Sequence, residues 1–265
     1  MPTGIGVRGT TRGSDDMLEL IEHGLVHEIR LARPPVNALD LDLLQALVAA
    51  VDAAPRNGAR ALVLSGSEKV FSGGLDVPYL MAQERAGLAA TWRQFFAAAR
   101  AIARSPVPVA AAIAGHNPAG GCVLALCCDY RVMARGPFRI GLNETQVGLT
   151  VPDAIQFLLR RAVGPQRAER LVVPGTMVES EQALAIGLVD ALDEPSRVVV
   201  HAVEWLSTLL ALPQGPMLAT RRIARADIVA ALEDFTDADL DQFLEGWYSA
   251  DSQAALQALM VRLKK

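Results

Sequence analysis

The segment Ile140–Leu149, IGLNETQVGL, holds one acidic residue, Glu144, in an otherwise apolar and neutral run. A carboxylate in such surroundings is either a surface residue or a base whose pKa desolvation lifts toward neutrality. Two glycine loops, Ser72-Gly73-Gly74-Leu75 and Pro118-Ala119-Gly120-Gly121, each lead into a helical segment. Glycine lets a ligand approach the main chain closely, and a helix N-terminus presents free N–H groups at the positive end of its dipole. Two such loops facing each other could form an oxyanion hole from backbone alone; taken singly, each is a tight strand-to-helix turn. The stretch NPAGGCVLALCCDY carries no reactive acid or base before Asp129. G-x-S-x-G, G-x-x-x-x-G-K-[ST] and H-E-x-x-H do not occur, and the G-x-G-x-x-G of Gly4–Gly9 has no strand before it and is discounted. His23, His27 and His201 read as surface or satisfied side chains; His116, beside the second glycine pair, is the histidine with a claim to line a site.

These residues need elements to position them. Met17–Ile21 and Leu25–Leu31 read as a hairpin broken at His23-Gly24. Asp40 can cap a helix whose apolar positions are Leu43, Leu44, Leu47, Val48 and Val51. Ala59–Gly66 fits a strand buried on both faces. A long helix over about Gln83 to Arg104 precedes the strand Pro106–Gly115. Strand, glycine loop and helix thus occur twice, which suggests stacked β-β-α units with their loops collected at one end of a sheet. From Gln156 the chain is mostly helical. The reading divides it into a loose tail (residues 1–16), a core (residues 17–197) and a helical region (residues 198–265) whose apolar faces need a partner.

With 51% apolar and 20% charged residues, the composition is that of a globular chain. A net charge of −4 argues against a binder that depends on phosphate neutralisation, so no nucleic-acid partner is expected. The excess of arginine over lysine reads as coding bias. Cys122, Cys127 and Cys128 lack the spacing of a zinc site and read as small buried hydrophobes in a reducing compartment; no metal is expected. No run reaches the ~18 apolar residues of a membrane span, and the start has no apolar core of a secretory signal. The expected location is the bacterial cytoplasm, with the mitochondrial matrix as the lesser alternative.

Taken in order, PPVNALDLDLL, FSGGLD, NPAGGCVLALCCDYRVMA, IGLNETQVGL and the final ALMVRLKK resemble the crotonase (enoyl-CoA hydratase/isomerase) superfamily, and within it the mitochondrial-type 3,2-trans-enoyl-CoA isomerases. The likeness runs from about Met17 to the end. It implies an α/β crotonase (ClpP/crotonase-like) fold of stacked β-β-α units with a helical C-terminal trimerisation region, assembled as a homotrimer or hexamer. It further implies an acyl-CoA thioester substrate, no separate cofactor, and an oxyanion hole made by the backbone N–H groups of Leu75 and Gly120. Hydratases of the superfamily carry two glutamates, and the corresponding positions here are Val123 and Glu144. Helical i, i+3 spacing puts the Val123 side chain over the turn containing Gly120, at the acyl pocket. A valine there cannot activate water, which selects isomerisation with Glu144 as the single acid/base. Pro35, Val36, Asn37 and Ala38 resemble the loop whose main chain cups the adenine of CoA, and Gly73 and Asp76 belong to the first oxyanion loop beside it. Arg221, Arg222 and Arg225 could meet CoA phosphates, although a solvated helix face fits them better; Lys264 and Lys265 have a weaker claim. The competing readings are an enoyl-CoA hydratase or bifunctional hydratase/isomerase, and a non-catalytic acyl-CoA- or RNA-binding relative.

Overall fold

The structure, a computed structural model, describes residues 8–12 and 17–263. Three strands, β1 (Arg8–Arg12), β2 (Leu18–His23) and β3 (Val26–Leu31), form an antiparallel meander, the last two being the expected hairpin. The reading of residues 1–16 as a loose tail is therefore corrected at Arg8–Arg12, which pair with β2 and so cover an edge of otherwise open N–H and C=O groups. Residues 1–7 and 13–16 lie outside the described residues, and with them Gly4 and Gly6 of the discounted motif; so do residues 264 and 265.

Asp40 caps α1 (Leu41–Ala53) as expected, its Oδ1 accepting from the Leu43 N–H at 2.9 Å, and the helix buries Leu43, Leu44, Leu47 and Val51. β4 (Ala61–Ser65) leads through the first glycine loop to a short α2 (Val77–Met81) and the long α3 (Arg85–Arg104). β5 (Val109–Ile113), β6 (Asn117–Pro118) and α4 (Ala119–Leu126) repeat the pattern. β7 (Tyr130–Ala134) and β8 (Arg139–Gly141) precede a 3-10 turn, Glu144–Val147. Next come α5 (Asp153–Val163), α6 (Pro165–Val172), β9 (Val178–Glu179), α7 (Ser180–Ala185) and β10 (Ala191–Asp193). Five helices complete the chain: α8 (Val198–Leu210), α9 (Gln214–Ala224), α10 (Ala226–Glu233), α11 (Asp237–Trp247) and α12 (Ala250–Leu263).

The main sheet has the order β1-β2-β3-β4-β5-β7-β10, parallel from β3 onward. A small second sheet, β6-β8-β9, stands apart from it. Alternate residues of the central strands enter different cores, as period-2 geometry requires. Leu62 and Leu64 join the larger core with α1, α3, α4 and α5. Ala61, Val63, Ala110, Ala112, Val132 and Ala134 pack on the other face against Val198, Ala202, Val203 and Leu206 of α8. The first helix after residue 198 is thus a layer of the sheet domain. Among the described residues no helix is long and apolar enough to cross a membrane.

Candidate active site

Both glycine loops are stitched into place by main-chain bonds. In the first, the Gly73 N–H donates to the Val36 carbonyl at 2.7 Å, and the Leu39 N–H donates to the Gly74 carbonyl at 2.8 Å. The Asp76 N–H donates back to Leu39 O at 3.0 Å, closing a short parallel bridge between Leu39 and Leu75. That bridge uses the amides of Leu39 and Asp76, so the Leu75 N–H stands outside it. Ser72 Oγ donates to the Asn37 carbonyl at 2.8 Å, and Asn37 Nδ2 donates to Phe71 O at 3.0 Å. The segment Arg33–Asp40 and the FSGGLD loop therefore form one unit. Asp76 serves as its tether: Oδ1 accepts from the Tyr79 N–H at 2.9 Å and Oδ2 pairs with Arg33 at 2.8 Å, while Arg33 also reaches Asp40 at 2.9 Å. Pro34, Pro35 and Val36 form an exposed shelf, Ala38 is half-buried and Asn37 is buried.

The second loop meets the first head-on. A Cβ on Gly120 would lie 3.4 Å from the Leu75 nitrogen, and one on Gly74 would lie 3.2 Å from the Gly120 nitrogen and 3.0 Å from the Ala119 Cβ. Such an approach leaves a side chain tight against the opposite loop, so the two strand-to-helix turns face each other. Gly120 is the second residue of α4, within the first turn, where N–H groups have no intrahelical acceptor. Ala119 before it has φ +47°, a conformation that costs a non-glycine residue on the order of 1–3 kcal/mol and that clusters at functional sites.

Strand register sets where the Glu144 turn begins relative to α4. β6 and β8 are parallel, pairing Asn117 with Ile140 and Pro118 with Gly141, so the chain leaves both strands at one end of the small sheet. Gly120 lies two residues past Pro118 and Glu144 three past Gly141. Glu144 is buried at 9% exposure, which excludes the surface reading. Burial raises its pKa to about 7, only partly opposed by a hydrogen bond from its own backbone N–H, and Oε2 has no partner among the described residues. The contrast with Glu28 is instructive. Burial also pushes Glu28 upward, but His23 Nε2 at 2.8 Å, Ser65 Oγ at 2.6 Å and the Arg30 charge outweigh it and hold the carboxyl low. Glu28 is fully satisfied inside the sheet; Glu144 keeps an oxygen free.

Val123 is fully buried on α4, which packs on β8, the strand that leads to Glu144, and burial pushes the neighbouring Cys122 thiol up. All three cysteines are buried free thiols, as expected. His116 does not face this site: it is exposed, its Nδ1 accepts from the Arg139 N–H at 3.1 Å, and its ring edge meets Phe138. The solvated-face reading of the three arginines holds for Arg222 alone. Arg221 forms a two-pronged pair with Asp129, both contacts at 2.8 Å, and Arg225 donates to Cys127 O at 2.6 Å and Cys128 O at 3.2 Å. Sequence reasoning missed this pin because Asp129 and Arg221 lie 92 residues apart. It also missed Ser72, whose hydroxyl joins the first glycine loop to the Arg33–Asp40 segment and which only its place in the glycine loop could have flagged.

The model of the family described as enoyl-CoA hydratase/isomerase matches residues 22–265. The chain is 32% identical over 241 residues to the mitochondrial enoyl-CoA delta isomerase 1 of Homo sapiens, covering 89% of this chain and 80% of that protein. It is 35% identical over 194 residues to a probable enoyl-CoA hydratase of Mycobacterium tuberculosis, covering 72% of this chain and 73% of the relative. The crystal structure of human mitochondrial delta3-delta2-enoyl-CoA isomerase superposes with a TM-score of 0.89 at 30% identity, over 94% of this chain and 98% of that one.

Proposed function

Because the chain belongs to the enoyl-CoA hydratase/isomerase family and has its crotonase fold, we propose that it is a 3,2-enoyl-CoA isomerase. The observation that carries this reading is a buried glutamate with one free carboxylate oxygen and a pKa of about 7, in a chain whose two glycine loops face each other and which has valine where a second carboxylate would stand. Glu144 removes a proton from C2 of a 3-enoyl-CoA, and the electrons of that C–H bond pass into a thioester dienolate. The Leu75 and Gly120 N–H groups stabilise the charge on the thioester oxygen, a role in which a single donor is worth roughly 10²–10³ in rate where it has been measured. The protonated Glu144 returns the same proton to C4, leaving the double bond between C2 and C3. One residue thus acts as base and then as acid, for which a pKa near the operating pH is best suited. The main chain of Pro35, Val36, Asn37 and Ala38, backed by Gly73 and held through Asp76, cups the CoA adenine; Val123 lines the acyl pocket. The role falls in the breakdown of unsaturated acyl chains.

The likeness to a probable hydratase at 35% identity supports a second reading, in which the enzyme adds water to 2-enoyl-CoA. Val123 counts against it, since hydration needs a water both held and deprotonated. The purified protein is expected to convert 3-hexenoyl-CoA into the conjugated 2-enoyl-CoA, read by absorbance, and Glu144→Gln to abolish the conversion. Rapid hydration of crotonyl-CoA with no turnover of the 3-enoyl substrate would sink the isomerase reading.

A further inference from the structure

The turn that carries Glu144 is held from outside by the last helix. Gly148 ends the turn with φ +82°, and α12 lies directly on it: a Cβ there would come 2.7 Å from the Ala255 Cβ and 3.1 Å from the Ser252 Cα. Ser252 is buried at 9% exposure and its Oγ–H donates to the Gly148 carbonyl at 2.5 Å. Ser249 Oγ in turn donates to Ser252 Oγ at 3.0 Å. Within the turn the Leu149 N–H donates to the Glu144 carbonyl at 2.9 Å and the Gly148 N–H to the Thr145 carbonyl at 3.2 Å. The carbonyl that Ser252 grips therefore belongs to the same closed unit as the Glu144 backbone. α12 also packs on α2, the helix that follows Leu75 and Asp76, so one element touches the supports of both the base and an oxyanion donor.

Glu144 Oε2 has no hydrogen-bond partner to aim it, so the carboxylate is directed by its backbone. We infer that Ser252 is a positioning residue: its hydrogen bond to Gly148 fixes the turn that directs the Glu144 carboxylate at the reacting carbons. What Glu144 acts on rests on the isomerase reading; the grip of Ser252 on the turn does not. A misplacement of about 1 Å in a reacting group can cost 10²-fold in rate, and a released turn would allow that much.

The test uses the full chain with Ser252→Ala and Ser252→Thr, read by amide hydrogen exchange across residues 144–149 and by steady-state turnover of 3-hexenoyl-CoA. Ser252→Ala is expected to speed exchange at Leu149 and to lower kcat ~10- to 100-fold with KM within about twofold. Ser252→Thr, which keeps the hydroxyl, is expected to restore most of both. A lower melting temperature with unchanged kcat would show that Ser252 merely satisfies a buried carbonyl, and would overturn the inference. Unaltered exchange would overturn it as well. If Ser252→Ala does not fold, Ser249→Ala, which removes the donor to Ser252 Oγ, takes its place; the same pattern at smaller amplitude supports the inference and no change defeats it. A wild-type protein inactive on 3-enoyl-CoA would defeat the isomerase reading, while the exchange measurement would still decide whether Ser252 holds the turn.

Discussion

A glutamate can take a proton from C2 only while ionised, and burial places that threshold for Glu144 at about 7 instead of the ordinary 4.5. The sign follows from the proposed role: below about pH 7 Glu144 is mostly protonated and unable to accept the C2 proton, and above it mostly ionised. We expect kcat/KM for 3-hexenoyl-CoA to fall about tenfold per pH unit below about 7 and to level off above it. A profile flat down to pH 5, measured between pH 5 and 9, would mean that the base is not desolvated. As a lone acid in a neutral run, Glu144 was legible from the sequence. Its burial was not, because that depends on packing around its turn, including α12 more than a hundred residues later. Val123 was equally mute by itself. Its meaning came only from the resemblance, since a valine in an apolar helix carries no chemical signal of its own.

Elements were legible where local rules govern them. The Asp40 cap, the hairpin at Gly24 and the fully buried strand β4 follow from capping, turn and period-2 patterns. Registers between distant segments were not. Nothing local fixes the β6–β8 pairing that sets the segments leading to Gly120 and Glu144 side by side, or the pairing of Arg8–Arg12 with β2. The helices after residue 212 illustrate the same limit. Arg221 and Asp129 are about nine-tenths buried, and Asp129 Oδ2 also accepts from the Val109 N–H at 2.8 Å, so one carboxylate joins α9 to the start of β5. Removing one partner of a buried pair costs about 3–5 kcal/mol when the other is left bare, but Asp129 would keep the Arg225 Nε at 3.3 Å. Arg221→Ala is expected to lower urea-unfolding stability by about 2–3 kcal/mol. A loss below about 1 kcal/mol would mean that the pair is exposed in solution.

The molecule taken whole holds α9 chiefly by the Arg221 side chain: no residue of the helix is buried overall, and Ile223 stands 74% exposed and Leu212, just before the helix, 49%. Within the region read as an oligomerisation element, α8 is already used by the sheet, so the proposed trimer contact falls to α9 and its surroundings. We propose that α9 makes this contact and expect Ile223→Glu to sediment as a monomer, since a charge placed in an apolar contact is costly; a wild-type protein that already sediments as a monomer would remove the proposal. The distribution of the site along the chain carries a consequence in time. Its parts begin at Arg33, pass through Leu75, Gly120 and Glu144, and finish at Ser252. Contacts so far apart in sequence can form only after long loops have closed. On the isomerase reading, a chain that has not closed these loops cannot turn over the thioester, so the first catalytic turnover of a refolding molecule reports that the segments from Arg33 to Ser252 have come together.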